Sequence, residues 1–86
     1  MKRIIKSEKL SGLEGLIGET VLLMCANYFY TGKLTGVNET CVELELPAIV
    51  YETGEWSSKQ YNNVQKLHTT KWYVRINAIE SFGISK

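Results

Sequence analysis

The sequence predicts a mainly β fold, a small and strongly bent antiparallel barrel preceded by one N-terminal α-helix, within a single domain spanning residues 1–86. Three observations carry this. A chain of 86 residues fills one domain and leaves no room for a second. Beyond Glu19 the apolar residues stop recurring at helical spacing and fall into runs and alternations of strand length, separated by turn residues. Gly32 and Gly36 lie on one face of the longest alternating segment, where glycine marks a bulge, a sharp bend or a close backbone approach.

The elements follow in order. A helix is expected over residues 7–17. Ser7 is a suitable N-cap, Leu10, Leu13, Leu16 and Ile17 make one apolar stripe, and Gly18 is a suitable stop. Gly12 and Gly15 weaken it by about 1 kcal/mol each relative to alanine. The barrel is expected over residues 20–84. Thr20–Ala26 is a continuous apolar run that reads as a buried strand, and Tyr28–Val37 alternates as a half-buried one. Asn38-Glu39-Thr40 reads as a turn. Cys41–Val50 then reads as a strand with Val42, Leu44 and Leu46 inward and Glu43 and Glu45 outward. Within it Pro47, lacking an N–H, belongs at a bulge or an unpaired edge position. The polar segment from Glu52 to Asn63 is expected as the longest loop. Val64–Ile76 reads as the fourth strand, Asn77-Ala78 as a tight turn, and Ile79–Ile84 as the fifth strand.

Composition narrows the function classes. The net charge is +1, with 44% hydrophobic and 22% charged residues, which describes a globular protein rather than a disordered chain or a strongly basic polyanion binder. The charge is uneven. From Trp56 to Ile79 no acid occurs, while Lys59, Lys66, Lys71 and Arg75 are basic, and Lys2, Arg3, Lys6 and Lys9 face only Glu8 at the start. That pattern is either a locally uneven solvated surface or a weak footprint for phosphate. The two cysteines, Cys25 and Cys41, lie in apolar runs, and a reducing cytoplasm is the expected compartment. No apolar run reaches the ~18 residues of a membrane-spanning helix.

Catalytic signatures are not expected. The one histidine, His68, and two cysteines do not make a zinc ligand set, and no cofactor is implied. No glycine-rich phosphate loop opens a helix, and no serine–histidine–acid order stands out. Glu43 and Glu45 share a strand face, where solvated carboxylates are commoner than acid–base pairs.

The remaining signal is Gly32-Lys33-Leu34 followed by Asn38, then Val74-Arg75 and Ile79 far downstream. This resembles the two-part signature of the Sm-like (LSm) family, and the order of a helix followed by bent strands resembles it too, over roughly Leu10 to Ile84. The resemblance implies an SH3-like barrel of the Sm-like fold. It also implies a homo-oligomeric ring of about six or seven copies, built by pairing the penultimate strand of one copy with the last strand of the next. Its members commonly hold a uridine in a pocket made by both signature parts, which carries the RNA-binding role onto Asn38, Thr40 and Arg75 here.

The departures weaken that pocket. Asn38 stands where the family has aspartate, Thr40 where it has a stacking side chain, and Ile76 where it has a glycine after the arginine. The pocket asparagine corresponds to Val42, or to Glu43 if the loop is one residue longer. Losing a stacking face removes ~1–3 kcal/mol per base. Asn38 also reads as a plain turn residue, and Arg75 as a partner for a carboxylate or for turn carbonyls. The sequence therefore predicts a non-catalytic ring subunit that binds or scaffolds single-stranded RNA. The alternative is a ring-forming structural or protein-interaction module without nucleic acid.

Overall fold

The computed structural model describes residues 12–86. Six antiparallel strands form one sheet: β1 (Thr20–Cys25), β2 (Phe29–Val37), β3 (Cys41–Glu52), β4 (Asn63–Lys66), β5 (Lys71–Arg75) and β6 (Ile79–Ile84). The hydrogen-bonded path runs β4-β3-β2-β1-β6, and β5 pairs with β3 off that path. β2, β3 and β4 each pair with the strand before them, as short connections favour. β5 and β6 reach further back, β5 to β3 and β6 to β1.

Five strands were expected and six are present, because Val64–Ile76 is not one strand. β4 pairs with Ala48–Glu52 and β5 with Cys41–Glu45, so each takes a different half of β3. The physical reason lies in β3 itself. Between Thr31↔Ala48 and Lys33↔Glu45, two residues of β3, Leu46 and Pro47, face the single residue Gly32 of β2, which is a β-bulge. Leu46 adopts φ 52° there, a conformation that bends the strand sharply. A partner strand cannot follow the bend unbroken, and the chain crosses it through Leu67–Thr70, anchored by the Leu67 N–H on the Pro47 carbonyl at 2.9 Å.

The bulge also corrects the expected facing of Leu46. Val42 and Leu44 point inward and are fully buried, but Leu46 is 80% exposed and Pro47 takes its place inside. The left-handed residue resets the alternation by one position. Pro47 sits, as expected, where no ladder N–H is required.

The N-terminal segment also differs. Gly12–Leu16 is a 3-10 turn rather than part of an α-helix, and the Ser7–Ser11 portion of the expected helix lies outside the described residues. Gly12 and Gly15 explain the weak helical hold over so short a piece. Leu13 and Leu16 still pack on the core as expected, whereas Ile17 is half exposed. The Gly18 N–H bonds the Leu34 carbonyl at 2.7 Å and the Leu34 N–H bonds the Glu19 carbonyl at 2.9 Å, which docks the turn onto β2.

The core consists of Val21, Leu23, Cys25, Leu34, Val42, Leu44 and Val74, with Tyr30, Trp72 and Ile79 closing over it. Each buried Leu or Val contributes roughly 1.5–3 kcal/mol by leaving water. These residues come from β1, β2, β3 and β5, so the bend in β3 wraps the sheet around one apolar centre. Among the described residues no helix is long and apolar enough to cross a membrane.

Candidate functional site

Two turns separated by more than thirty residues in sequence lie side by side. The pairing of Cys41 with Arg75 continues into a bond from the Ile76 N–H to the Thr40 carbonyl at 2.8 Å. The turn at residues 38–40 thus abuts the 3-10 turn Ile76–Ala78 that links β5 to β6. Between them is a cleft of about 160 Å³ lined by Glu39, Thr40, Arg75, Ile76 and Asn77.

Asn38 shapes the first turn. Its Oδ1 accepts from the Thr40 N–H at 2.7 Å, the Cys41 N–H at 2.9 Å and the Thr40 hydroxyl at 3.1 Å, while its own N–H donates to the Cys41 carbonyl at 3.0 Å. This is the Asx arrangement that lets a short side chain stand in for a backbone turn. The three residues expected at a site are therefore brought together, but with unequal roles. Asn38 spends its carbonyl on the turn and does not line the cleft, whereas Thr40 and Arg75 do. Arg75 is exposed, and no carboxylate among the described residues forms a salt bridge with it.

The register sets Val42 and Glu43 on opposite faces of β3. Val42 is fully buried against Val74 and meets no solvent, so Glu43 is the outward residue. Glu43 is already engaged. Its Oε1 accepts from the Thr35 hydroxyl at 2.7 Å and its Oε2 from the Tyr73 hydroxyl at 2.8 Å, and Lys71 Nζ lies 3.3 Å from Oε1. The Thr35 bond first, then the Tyr73 bond, hold the Glu43 carboxyl below its ordinary 4.5. Lys71 also bonds Glu45 at 3.1 Å, and that bond is the main reason its ammonium is held above its ordinary value. The Glu43 carboxylate pushes the Tyr73 phenol up. These groups satisfy one another across three strands.

Arg75 also lines a second, larger cleft of about 340 Å³, with Asn27, Tyr28, Tyr30, Trp72 and Tyr73. Tyr28 packs edge-on to Tyr30 and to Tyr51, with ring centroids 6.3 Å apart in both pairs. Tyr28 is about half exposed, so part of an aromatic ring is open in a cleft that Arg75 also lines. Burial pushes the Cys25 thiol in this cleft up, which favours its neutral form. Tyr28 and Tyr30 were not among the residues expected at a site. The signal in the sequence was the crowding of Tyr28-Phe29-Tyr30 at the start of β2, but only the fold brings them to Trp72 and Arg75.

Among the described residues no group of three or more histidines, cysteines or acids could hold a metal ion. The arrangement offers a guanidinium, hydroxyls, amides and aromatic faces, groups whose chemistry is stacking and hydrogen bonding. No family model, curated protein or solved structure matches the chain significantly.

Proposed function

We propose that this protein is a non-catalytic subunit of the Sm-like kind, an SH3-like barrel that assembles into a homo-oligomeric ring in the cytoplasm and binds single-stranded RNA around Arg75. The observation that carries the reading is the meeting of the two signature segments: Thr40 and Arg75, far apart in sequence, line one cleft because β3 and β5 pair. The strand path supports the barrel, since β5 lies on β3 and β6 on β1 while a single 3-10 turn connects them. The free thiols of Cys25 and Cys41 fit a reducing compartment.

Ring assembly is supported by what the sheet leaves unpaired. β4 and β6 end the hydrogen-bonded path, and edge strands are templates for another chain. β6 presents Phe82 and Ile84, 42% and 65% exposed, along one such edge. A head-to-tail contact between unlike edges closes into a ring when its rotation allows.

RNA binding is supported by Arg75 standing between two clefts, one polar and one aromatic. Thr40 supplies no stacking face, but Tyr28 and Trp72 lie in the larger cleft that Arg75 also lines. Base–aromatic stacking is worth ~1–3 kcal/mol per base and is tolerant of base identity. The ring therefore binds RNA with little preference for uridine, and repetition of Arg75 around the ring adds modest contacts together. Arg75→Ala in every copy removes most binding while the ring stays intact. Fluorescence anisotropy with labelled oligouridine and oligoadenine, at two salt concentrations and beside native mass measurement, checks this; phosphate-driven binding weakens as salt rises. Unchanged affinity in an intact Arg75→Ala ring moves the RNA site elsewhere.

The net charge of +1 and the apolar β6 edge favour a second reading, a ring that recruits proteins and binds no RNA. A ring that fails to bind any oligonucleotide selects it, and a monomer at micromolar concentration rejects both.

A further inference from the structure

The segment between β3 and β4 encloses a cation. Lys86 Nζ donates to the carbonyl oxygens of Thr53 and Glu55, each at 2.7 Å, and lies 3.5 Å from that of Gln60. The same nitrogen is 5.3 Å from the centre of the Trp56 ring and 5.2 Å from that of Tyr61. An ammonium has three N–H donors and no acceptor, and three carbonyls meet it. The two aromatic rings add the negative faces that attract a cation.

This cage has scaffolding of its own. The Ser58 N–H bonds the Glu55 carbonyl at 3.0 Å, and the Ser58 hydroxyl bonds the Gln60 carbonyl at 3.1 Å. Gly54 takes φ +71°, and a Cβ there would lie 2.8 Å from Asn62 Oδ1, so the loop's sharp turn depends on glycine. The Tyr61 hydroxyl is 2.6 Å from Ser85 Oγ, which also accepts from the Thr31 hydroxyl at 3.1 Å, tying the cage to β2. None of these bonds uses the Lys86 side chain. Trp56 remains 60% exposed, so one wall is open to solvent.

We propose that the Thr53–Tyr61 loop is a binding site for a primary ammonium group on an unbranched alkyl chain, filled in cis by Lys86 and able to take such a group from another molecule once Lys86 is withdrawn. The carbonyls set the selectivity. A primary ammonium satisfies them with N–H bonds, whereas a quaternary ammonium brings no donor and keeps only the attraction of the rings. The site is independent of the RNA reading and lies on different residues.

The test is titration of the Lys86→Ala chain and the unmodified chain with propylammonium chloride, tetramethylammonium chloride and potassium chloride. It is read by NMR at the Trp56 indole N–H and the Gly54 amide. Propylammonium should shift both signals saturably in the Lys86→Ala chain, about tenfold more tightly than tetramethylammonium, as expected when charge-assisted bonds to carbonyls are lost. The unmodified chain, its cage already filled, should not respond. If the loop signals of the Lys86→Ala chain leave their native positions, propylammonium should return them, and failure to do so overturns the proposal. Equal binding of the two ammonium ions, equal binding of potassium, or no saturable shift with the rest of the spectrum native overturns it as well.

Discussion

The two halves of β3 share one strand and pair on both sides, yet they do different work. In Cys41–Glu45 the inward residues Val42 and Leu44 are fully buried, and the partner strand β5 contributes Val74 to the same core. On the outward face Glu43 is joined to Thr35 on β2 and to Tyr73 and Lys71 on β5. In Ala48–Glu52 the inward residues Ala48 and Val50 are also buried, but the partner β4 is exposed throughout. Its one side-chain tie to β3 is the Tyr51 hydroxyl on Gln65 at 3.3 Å. β5 pairs with its half over five consecutive residues, whereas β4 pairs at four positions with a register shift between Val50 and Glu52. The difference teaches that a strand pair closes the core where a regular ladder carries apolar partner side chains, and leaves an edge where it does not.

Five substitutions sharpen that contrast. The largest effect is expected at Leu44, which is fully buried in the first half. Leu44→Ala should destabilise the protein by ~2–5 kcal/mol, measured by urea unfolding with an unchanged slope. A loss under 1 kcal/mol would place the structural centre elsewhere.

Gly32 comes next, because it stands at the boundary between the halves. A Cβ there would lie 3.0 Å from the Glu45 carbonyl, 3.2 Å from Leu44 Cβ and 3.4 Å from Pro47 Cα, all parts of the bulged strand. Gly32→Val should cost ~1–3 kcal/mol as an overpacking change and lower solubility or assembly, seen by thermal melting and native mass measurement. Gly36 is the internal control. A Cβ there meets nothing nearer than Glu43 Cβ at 3.7 Å, so Gly36→Ala should be tolerated.

The Glu43 network makes a smaller contribution with a defined pH window. Its folded carboxyl titrates below the ordinary 4.5, chiefly because the Thr35 hydroxyl donates to it. The stabilisation is therefore complete above pH 4.5 and is lost as pH falls through the folded value. Thr35→Val should move the Glu43 carboxyl titration, followed by NMR, back toward its ordinary position and lessen the loss of stability on acidification. A titration that does not move would remove Thr35 from the network. The smallest effect belongs to β4. Val64→Thr on its exposed face should change unfolding free energy by less than ~0.5 kcal/mol.

Local reading went far in the first half of the chain. The apolar run of β1, the alternation of β2 and the turn at Asn38 are written in neighbouring residues, and the structure places all three within a few positions of where they were expected. It failed at Leu46, where period-two alternation pointed inward and a left-handed backbone points the side chain out. It failed again at Val64–Ile76, whose strand-forming residues gave no sign of the break at Leu67–Thr70. The Gly12–Leu16 turn was read as α-helix because spacing does not distinguish the two helical forms over five residues.

The candidate site divides in the same way. Thr40 and Arg75 were singled out through a resemblance in motif and line one cleft, whereas Tyr28, Tyr30 and the cage around Lys86 were not singled out. The sequence alone determined a mainly β fold, its apolar faces, the glycine at its bend and the turn that Asn38 makes, because each rests on propensity and spacing within a few residues. Only the tertiary structure decided that β3 would break its partner in two, that Arg75 would stand between two clefts, and that Lys86 would enter a loop some thirty residues away. Those outcomes depend on strand register across the bend, and register is a property of pairs of segments that no single segment carries.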